Sequence, residues 1–195
     1  MVEERSMGSR VRMFVALDLP ETVRSGIAAW GEAALDDPAL RPVRAESLHI
    51  TLAFLGLRPE ADAERVAMAM EECVAPAPLV ELLDPEPRPS RGRPQLFALP
   101  VVSPGTELIQ AQLGELLAAE RLYEHEKRPF WPHVTVARVR PEGRGSRRPA
   151  AVESPPESLP GALKELQFCR RLSLYRSVLQ PQGARYVPLA QVKLP

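Results

Sequence analysis

A histidine–threonine pair occurs twice in the sequence, and this repetition limits the possible folds more than any other feature of the chain. The segments His49-Ile50-Thr51-Leu52 and His133-Val134-Thr135-Val136 lie in apolar runs and together hold two of the three histidines. Successive side chains of a β-strand point to opposite faces, so a histidine and a threonine two residues apart share one face. Each segment therefore predicts a strand that presents an imidazole beside a hydroxyl.

The elements that precede the two motifs are also in register. Residues 14–17 (FVAL), a helical pattern and His49 match residues 97–100 (FALP), a helical pattern and His133, with an offset of 83 between the phenylalanines and 84 between the histidines. Self-similarity at a fixed offset indicates a repeated unit of structure. We therefore predict two related lobes, about 12–90 and 91–195, whose pseudo-twofold packing brings both histidines into one cleft.

The remaining pattern predicts alternating strands and helices in one domain, 12–195. Predicted strands are 13–17, 48–55 (closed by Gly56), 79–83, 94–102, 133–139 and two C-terminal strands joined by a turn at Gln182-Gly183. Predicted helices are 21–34, 59–74, 106–122 and 161–166. Residues 1–11 are predicted to be a flexible extension, 85–92 a loop, and 141–160, which is rich in Pro, Ser, Gly and charge, a mobile loop.

Composition is that of a globular protein and excludes some functions. Hydrophobic residues make up 45% and charged residues 26%, and 25 basic residues balance 25 acidic ones. No run approaches the ~18 apolar residues of a membrane span. Cys73 and Cys169 lack metal-type spacing, so we expect free thiols in a reducing cytoplasm. We predict a cytoplasmic monomer that needs no obligate protein partner, no metal and no cofactor, since neither a ligand cluster nor a Gly-rich phosphate loop is present.

Charge is unevenly distributed in spite of the neutral total. Residues 121–148 hold eight basic and three acidic side chains, whereas residues 59–86 hold one basic and eight acidic. Such polarity could guide an RNA end to one side of a cleft. A solvated loop rich in arginine accounts for the same pattern, and the sequence leaves both interpretations open.

The paired motifs have the chemistry required for displacement at phosphorus. Two imidazoles with ordinary pKa values near 6.5 allow one to be neutral and the other protonated around neutral pH, as a base and an acid acting in one step require. Thr51 and Thr135 supply hydroxyl donors for phosphoryl oxygens, and Arg138, five residues after His133, supplies a fixed positive charge. The set fits in-line displacement without a metal.

These residues resemble a known family, the 2H phosphoesterases, and in particular the bacterial RNA 2′,3′-cyclic phosphodiesterases, also called 2′-5′ RNA ligases (LigT-like). The resemblance extends over nearly the whole chain from Arg12 onward. The matching segments are residues 14–20 (FVALDLP), 48–56 (LHITLAFLG), 128–138 (RPFWPHVTVAR) and 174–179 (LYRSVL), with Gly183 and Tyr186. The family implies a bilobal, pseudo-twofold α+β fold with antiparallel sheets lining a central cleft and helices packed outside.

The resemblance also implies the activity and the residue roles. The substrate would be RNA or an oligonucleotide with a 2′,3′-cyclic phosphate end, opened to a 2′-phosphate, with 2′-5′ ligation as the reverse reaction. His49 would protonate the leaving 3′ oxygen and His133 would activate water. Thr51 and Thr135 would hold the non-bridging oxygens, and Arg138 would bind the phosphate.

Two departures from the family pattern concern substrate binding, and two alternative functions stay open. The loop 141–160 is longer and richer in proline, and Trp131 stands where a basic residue is common; Phe14 and Phe54 would help to form a wall for the base. One alternative is a nucleotide- or RNA-binding module without turnover. The other is the same chemistry on a small cyclic nucleotide, a cyclic ADP-ribose phosphate or 2′-5′ oligoadenylate.

Overall fold

A computed structural model describes residues 9–180 and 183–195. The strands are β1 (Arg10–Asp18), β2 (Leu40–Pro42), β3 (His49–Pro59), β4 (Leu79–Leu82), β5 (Glu86–Arg88), β6 (Leu96–Val102), β7 (His133–Val139), β8 (Gln167–Phe168), β9 (Arg171–Gln180) and β10 (Gly183–Lys193). The helices are α1 (Glu21–Ala34), α2 (Asp62–Glu71), α3 (Pro104–Ala119) and α4 (Gly161–Lys164), with a 3₁₀ turn at Ala45–Ser47. Residues 1–8 of the predicted extension, and Gln182 of the predicted turn, lie outside the described residues.

The described strands form one ten-stranded sheet in which every pairing is antiparallel. The order is β10-β9-β1-β3-β7-β6-β4-β8, and β2 adds to β7 while β5 adds to β6. The motif strands β3 and β7 are neighbours at the centre, so the two halves of the chain meet there. This arrangement confirms the predicted α+β class with antiparallel strands.

The helices cover one face of this sheet, and the cleft lies on the other. Ile27 of α1, Met70 of α2 and Leu113 of α3 belong to a single large core together with the inward-facing strand residues. A separate small cluster of Phe14, Ala16 and Tyr175, with Tyr186 packed against it, lies on the opposite face. Burial of one face by helices leaves the other free to carry polar groups.

The helix boundaries follow from local capping. α1 begins directly after Pro20, whose fixed φ suits a helix start, and it spans the predicted residues. α3 is capped by Ser103, whose Oγ accepts the N–H of Thr106 at 3.2 Å. It ends at Ala119, earlier than predicted, because Arg121 adopts a φ of +58° and the chain then turns Leu122 into the core.

Several predicted boundaries are wrong because strand pairing extends them. β1 begins at Arg10, inside the predicted extension, where the Arg10 guanidinium donates to the Leu57 carbonyl at 2.9 Å. β3 continues through Gly56, at a φ of +72°, as far as Pro59 instead of closing at the glycine. Pro59 pairs with Arg10, so α2 begins only at Asp62.

The two segments predicted to be loops make contacts that their composition does not indicate. Within 85–92, β5 pairs with the edge of β6. Within 141–160, the N–H groups of Glu153 and Ser154 donate to the Asp37 carboxylate at 2.8 and 2.9 Å. The indole N–H of Trp30 donates to the Ser158 carbonyl at 3.2 Å. The long segment is therefore attached to the helical side of the protein at two points.

The cysteines and the helices can be compared with what the composition predicts. Cys73 and Cys169 are both buried free thiols, and burial raises the pKa of Cys169 to about 12. In the described parts of the chain, none of the helices has the length and apolar character needed to span a membrane.

Candidate active site

The two motif strands place their polar residues opposite each other. Ile50 of β3 pairs with Val134 of β7, and both are fully buried, so the residues on either side of them face the cleft. Extending this antiparallel register by one residue sets His49 across from Thr135 and Thr51 across from His133. Each imidazole thus lies beside a hydroxyl of its own strand and opposite the hydroxyl of the other.

A β-bulge occurs at the same position of both motifs, three residues after the histidine. The register of β3 with β1 shifts at Leu52, and the register of β7 with β6 shifts at Val136. Strict alternation would turn Phe54 and Arg138, each five residues after a histidine, towards the helices. The extra residue reverses the alternation and turns both side chains into the cleft, which is how bulges commonly re-aim residues beside active sites.

A central cavity of about 570 Å³ contains the whole predicted set. The residues that line it include all five site residues inferred from the sequence: His49, Thr51, His133, Thr135 and Arg138. Phe14, Leu96 and Tyr186 also line it. The candidates for acid, base and phosphate binding therefore all line one continuous space.

His49 is held in one orientation by hydrogen bonds on both sides of its ring. Its Nδ1 lies 2.8 Å from the Ser47 carbonyl, so Nδ1 carries a hydrogen and donates. In the neutral ring the cleft-facing Nε2 then accepts the Thr51 hydroxyl at 3.1 Å. Burial lowers the pKa of His49 to about 4, so the ring is neutral in the free protein at pH 7.

His133 repeats this arrangement and is covered by a stack of aromatic and cationic groups. Its Nδ1 donates to the Trp131 carbonyl at 2.8 Å, and the Trp131 ring stacks on the imidazole with centroids 4.1 Å apart. The Arg88 guanidinium lies 3.8 Å from the centroid of Trp131 on the indole face. Burial lowers the pKa of His133, with smaller contributions from Arg88 and Arg138.

A buried network of Phe14, Tyr175, Asp18 and Ser173 packs against one face of the His49 ring. Phe14 stacks on His49 with centroids 4.9 Å apart and on Tyr175 at 5.4 Å. The Tyr175 hydroxyl donates to the Asp18 carboxylate at 2.9 Å, and Ser173 donates to the same carboxylate at 2.8 Å. Burial raises the pKa of Tyr175 to about 12, so it remains a donor. These contacts tie the orientation of His49 to the pairing of β1 with β9.

The strand pairing corrects one detail of the predicted repeat. In the two lobes, Ala16 pairs with Thr51 and Ala98 pairs with Thr135, so Ala98 is the counterpart of Ala16. The counterpart of Phe14 is therefore residue 96, not Phe97. A slip of one residue reverses the face, and Phe97 accordingly lies in the helix-covered core while Leu96 and Phe14 line the cavity.

Three side chains near the site were not predicted as site residues, although Tyr186 is among the residues that match the family. Tyr186 contacts His49 edge-on at 5.2 Å, and Arg88 covers Trp131. The third, Arg41, is the direct cross-strand neighbour of Arg138. The bulges could have been suspected from the sequence, because the adjacent apolar residues Leu52-Ala53 and Val136-Ala137 interrupt the alternation.

Two further cavities adjoin the central one. A cavity of about 390 Å³ shares Thr51, Phe54 and His133 with it and is also lined by Trp131 and His125. A groove of about 440 Å³ adjoins it on the side of Arg138. Within residues 9–180 and 183–195, no group of three or more His, Cys, Asp or Glu is arranged to hold a metal ion.

Comparison with known proteins finds similarity along most of the chain. Residues 19–173 match the family model described as the 2′-5′ RNA ligase superfamily. The RNA 2′,3′-cyclic phosphodiesterase of Escherichia coli is 31% identical over 184 residues, which cover 94% of this chain and 96% of that protein. The RNA 2′,3′-cyclic phosphodiesterase of Thermus thermophilus is 29% identical over 193 residues, covering 94% and 90%.

Solved structures share the fold. A crystal structure of a Thermus thermophilus protein superposes with a TM-score of 0.72 at 29% identity, covering 94% of this chain and 97% of that one. Escherichia coli LigT complexed with NADP+ gives a TM-score of 0.73 at 24% identity, covering 96% and 99%.

Proposed function

Because this chain belongs to the 2′-5′ RNA ligase superfamily, we propose that it hydrolyses terminal 2′,3′-cyclic phosphates of RNA to 2′-phosphates. Relatives that align with nearly its whole length carry the name RNA 2′,3′-cyclic phosphodiesterase. The observation that carries the proposal is the crossed arrangement of His49, Thr51, His133 and Thr135 around one cavity. Two imidazoles on opposite sides of a phosphate are what in-line displacement requires.

In the proposed reaction the two histidines act on opposite sides of phosphorus. Nε2 of His133 takes a proton from water while the water oxygen forms a bond to phosphorus. The bond from phosphorus to the 3′ oxygen breaks, and Nε2 of His49 gives its proton to that oxygen. The products are a 3′-hydroxyl and a 2′-phosphate, with the proton now on His133; exchange with solvent restores the starting state.

The backbone carbonyls determine which ring nitrogen takes part. Both Nδ1 atoms are occupied by carbonyl acceptors at 2.8 Å, which directs both Nε2 atoms into the cleft. In the described part of the chain, Nε2 of His133 has no hydrogen-bond partner, so its lone pair is available for water. His49 must gain a proton to act as the acid, and the negative charge of a bound cyclic phosphate favours this, since an anion close to a histidine raises its pKa.

The remaining site residues would stabilise the phosphoryl oxygens. Thr51, 3.1 Å from Nε2 of His49, and Thr135, which lines the same cavity, would donate hydroxyl hydrogens to the non-bridging oxygens. Arg138 would add a charge-assisted hydrogen bond. Because these donors are fixed by strand pairing before substrate binds, they need little reorganisation during the reaction. In the reverse direction, which would join 2′-5′ ends, the acid and base exchange roles.

The test is turnover of an RNA oligonucleotide with a 2′,3′-cyclic phosphate end in the presence of EDTA, with identification of the product phosphate. We expect a 2′-phosphate, and a loss of about 10²–10⁴-fold in rate for both His49→Ala and His133→Ala. His125→Ala is the matched control, because this third histidine is exposed and pairs with Glu115 outside the central cavity. Binding without turnover by the wild-type protein would instead favour the non-catalytic module.

A sulfur-substituted substrate separates the two histidine roles. A thiolate is a better leaving group than an alkoxide because thiols have pKa values near 8.5. Replacement of the 3′ oxygen by sulfur should therefore restore turnover to His49→Ala and leave His133→Ala inactive. Restoration of His133→Ala instead would reverse the assignment. Use of a nucleoside 2′,3′-cyclic phosphate beside the oligonucleotide tests the alternative of a small cyclic substrate.

A further inference from the structure

The groove beside Arg138 is strongly basic. Four arginines line it, Arg12, Arg41, Arg44 and Arg138, and we call it the arginine groove. It shares Arg12, Arg138 and Tyr186 with the central cavity, so the two spaces are continuous. Its lining includes no acidic side chain among the residues that the structure describes.

Two of these arginines form a cross-strand pair of like charge. Arg41 of β2 lies directly opposite Arg138 of β7, and like charges at opposed positions destabilise a sheet. In residues 9–180 and 183–195, neither Arg41, Arg138 nor Arg12 forms an ion pair; Arg44 does, with Glu46 at 3.1 Å. The sheet therefore concentrates positive charge at the end of the central cavity, where one ion pair, Arg44 with Glu46, balances only one of the four arginines among the described residues.

The position of Arg41 is also defined by its surroundings. Its guanidinium carbon lies 3.9 Å from the point that a Cβ on Gly183 would occupy, so the group rests against the backbone at the start of β10. Tyr186 on the same strand contacts His49. The arginine groove thus begins beside the catalytic ring and runs along the edge where β10, β2 and β7 approach one another.

The cavity on the other side of the site has a different character. It contains Arg128, but also the carboxylate of Glu126, and His125 is within 3.3 Å of Glu115. Positive charge there is balanced by negative charge close by. Between these two spaces, as lined by the described residues, an excess of positive over negative side chains therefore lies on the arginine side, and such charge is what binds a nucleic-acid backbone.

We propose that the arginine groove is a second phosphate subsite, which binds the phosphodiester adjacent to the cyclic end, so that the protein selects oligonucleotides over mononucleoside 2′,3′-cyclic phosphates. This inference rests on the proposed function, because it assumes that the cyclic end occupies the central cavity. Arg12 and Arg41 bind the chain and do not act on the reacting phosphorus. The arginine groove thereby distinguishes a cyclic phosphate end that is attached to a further nucleotide from one that is not.

The test compares two substrates in the same variants. Values of kcat/KM are measured for a mononucleoside 2′,3′-cyclic phosphate and for a short RNA with the same terminal nucleotide. The variants are Arg41→Gln and Arg12→Gln. Arg185→Gln is the matched control: Arg185 is exposed on β10 next to Tyr186, and alternation along the strand points it to the other face of the sheet.

We expect the wild-type protein to prefer the RNA and Arg41→Gln to reduce the ratio of the two kcat/KM values by about 10-fold, the effect of one lost hydrogen bond to a charged group. Arg12→Gln should lower the ratio in the same direction, and Arg185→Gln should leave it unchanged. The slope of log kcat/KM for the RNA against log salt should become shallower by about 0.7 in Arg41→Gln, as expected for one phosphate contact on a single strand.

If Arg41→Gln lowered kcat/KM equally for both substrates, the inference would be overturned, because Arg41 would then act only through its electrostatic effect on the reacting phosphate. An unchanged ratio in both variants would also overturn it. A binding measurement makes the result independent of turnover: fluorescence anisotropy of a labelled RNA with a 2′-phosphate end, with a nucleoside 2′-phosphate as competitor. Weaker RNA binding by Arg41→Gln but not by Arg185→Gln would support the subsite even if the proposed hydrolysis were absent, and equal binding by both would refute it.

Discussion

We expect kcat/KM, which reports the protonation state of the free protein, to rise as the pH falls below neutrality. Such a rise is unusual for a reaction that needs a base. The reason is the burial of both histidines, which lowers the pKa of His49 to about 4 and lowers the pKa of His133 from its ordinary value. The proposed reaction needs one proton shared between the two rings. At pH 7 both rings are neutral, and the active protonation state is rare.

The size of the effect follows from the pKa of His49. Three pH units separate a pKa of about 4 from pH 7, so roughly one molecule in a thousand carries a proton on His49, at a cost of about 4 kcal/mol. The value of kcat/KM should therefore fall about tenfold per pH unit above the pKa of His133. It should be level between the two pKa values, which places its maximum below pH 6.5. Bound phosphate raises both pKa values, so kcat itself should have its maximum at a higher pH.

The assay measures initial steady-state rates on an RNA with a cyclic phosphate end, at constant ionic strength, from pH 4.5 to pH 8.5. Subsaturating substrate gives the profile of the free protein, and saturating substrate gives that of the complex. The control is His125→Ala, which should show the same profile as the wild type. A kcat/KM that increases from pH 5 to a plateau above pH 7.5, or one that is flat from pH 5 to 8.5, would refute the assignment of acid and base to two buried histidines.

Three further perturbations test the support of the site. His49→Asn keeps a donor for the Ser47 carbonyl but does not titrate. The pKa of His49 is lower in the folded than in the unfolded chain, so the wild type loses up to about 3 kcal/mol of stability as the pH falls from 6.5 to about 4. In urea denaturation over this pH range, the variant should lose correspondingly less stability. Trp131→Ala should lower kcat by up to about tenfold, which corresponds to the free energy of one aromatic stack, and Trp131→Phe should recover the loss. A change in KM alone would contradict a positioning role for the ring that covers His133. Asp37→Ala removes the acceptor of the backbone N–H groups in 141–160 and should speed trypsin cleavage at the arginines of that segment. Equal cleavage rates would show that this carboxylate does not hold the segment.

Much of the fold could be predicted because the relevant patterns are local. The boundaries of α1 and β7 match the predicted residues, since a proline start and a largely alternating run of polar and apolar residues both act through neighbouring residues. The boundaries of β1, β3 and β5 do not match, because pairing with a distant strand decides where each one begins or ends. The antiparallel class and the adjacency of the motif strands agree with what the repeated motif and the family resemblance predict.

Five residues of the candidate site could be named from the sequence, but Arg88, Arg41 and the geometry of the candidate site could not. The spacing of histidine and threonine places them on one face by simple alternation. Alternation alone, however, directs Arg138 away from them, and its position in the cavity depends on the bulge at Val136. The stack of Arg88 on Trp131 likewise depends on the pairing of β5 with β6, which no local pattern indicates.

Positions 54 and 138 are equivalent in the two halves, each five residues after a histidine and each turned into the cavity by the same bulge. One carries a phenylalanine that is 63% exposed and the other carries an arginine. Identical residues at both positions would leave the orientation of a bound phosphate to the groups around each imidazole, Phe14 and Tyr186 at His49 and Trp131 at His133. Under the proposed function, the unlike residues would add to this asymmetry: Phe54 would favour a base on one side of the cavity and Arg138 an anion on the other. In the proposed reaction, the difference between these two side chains would thereby contribute a direction to a nearly symmetric site, and with it the choice of which bond to phosphorus is broken.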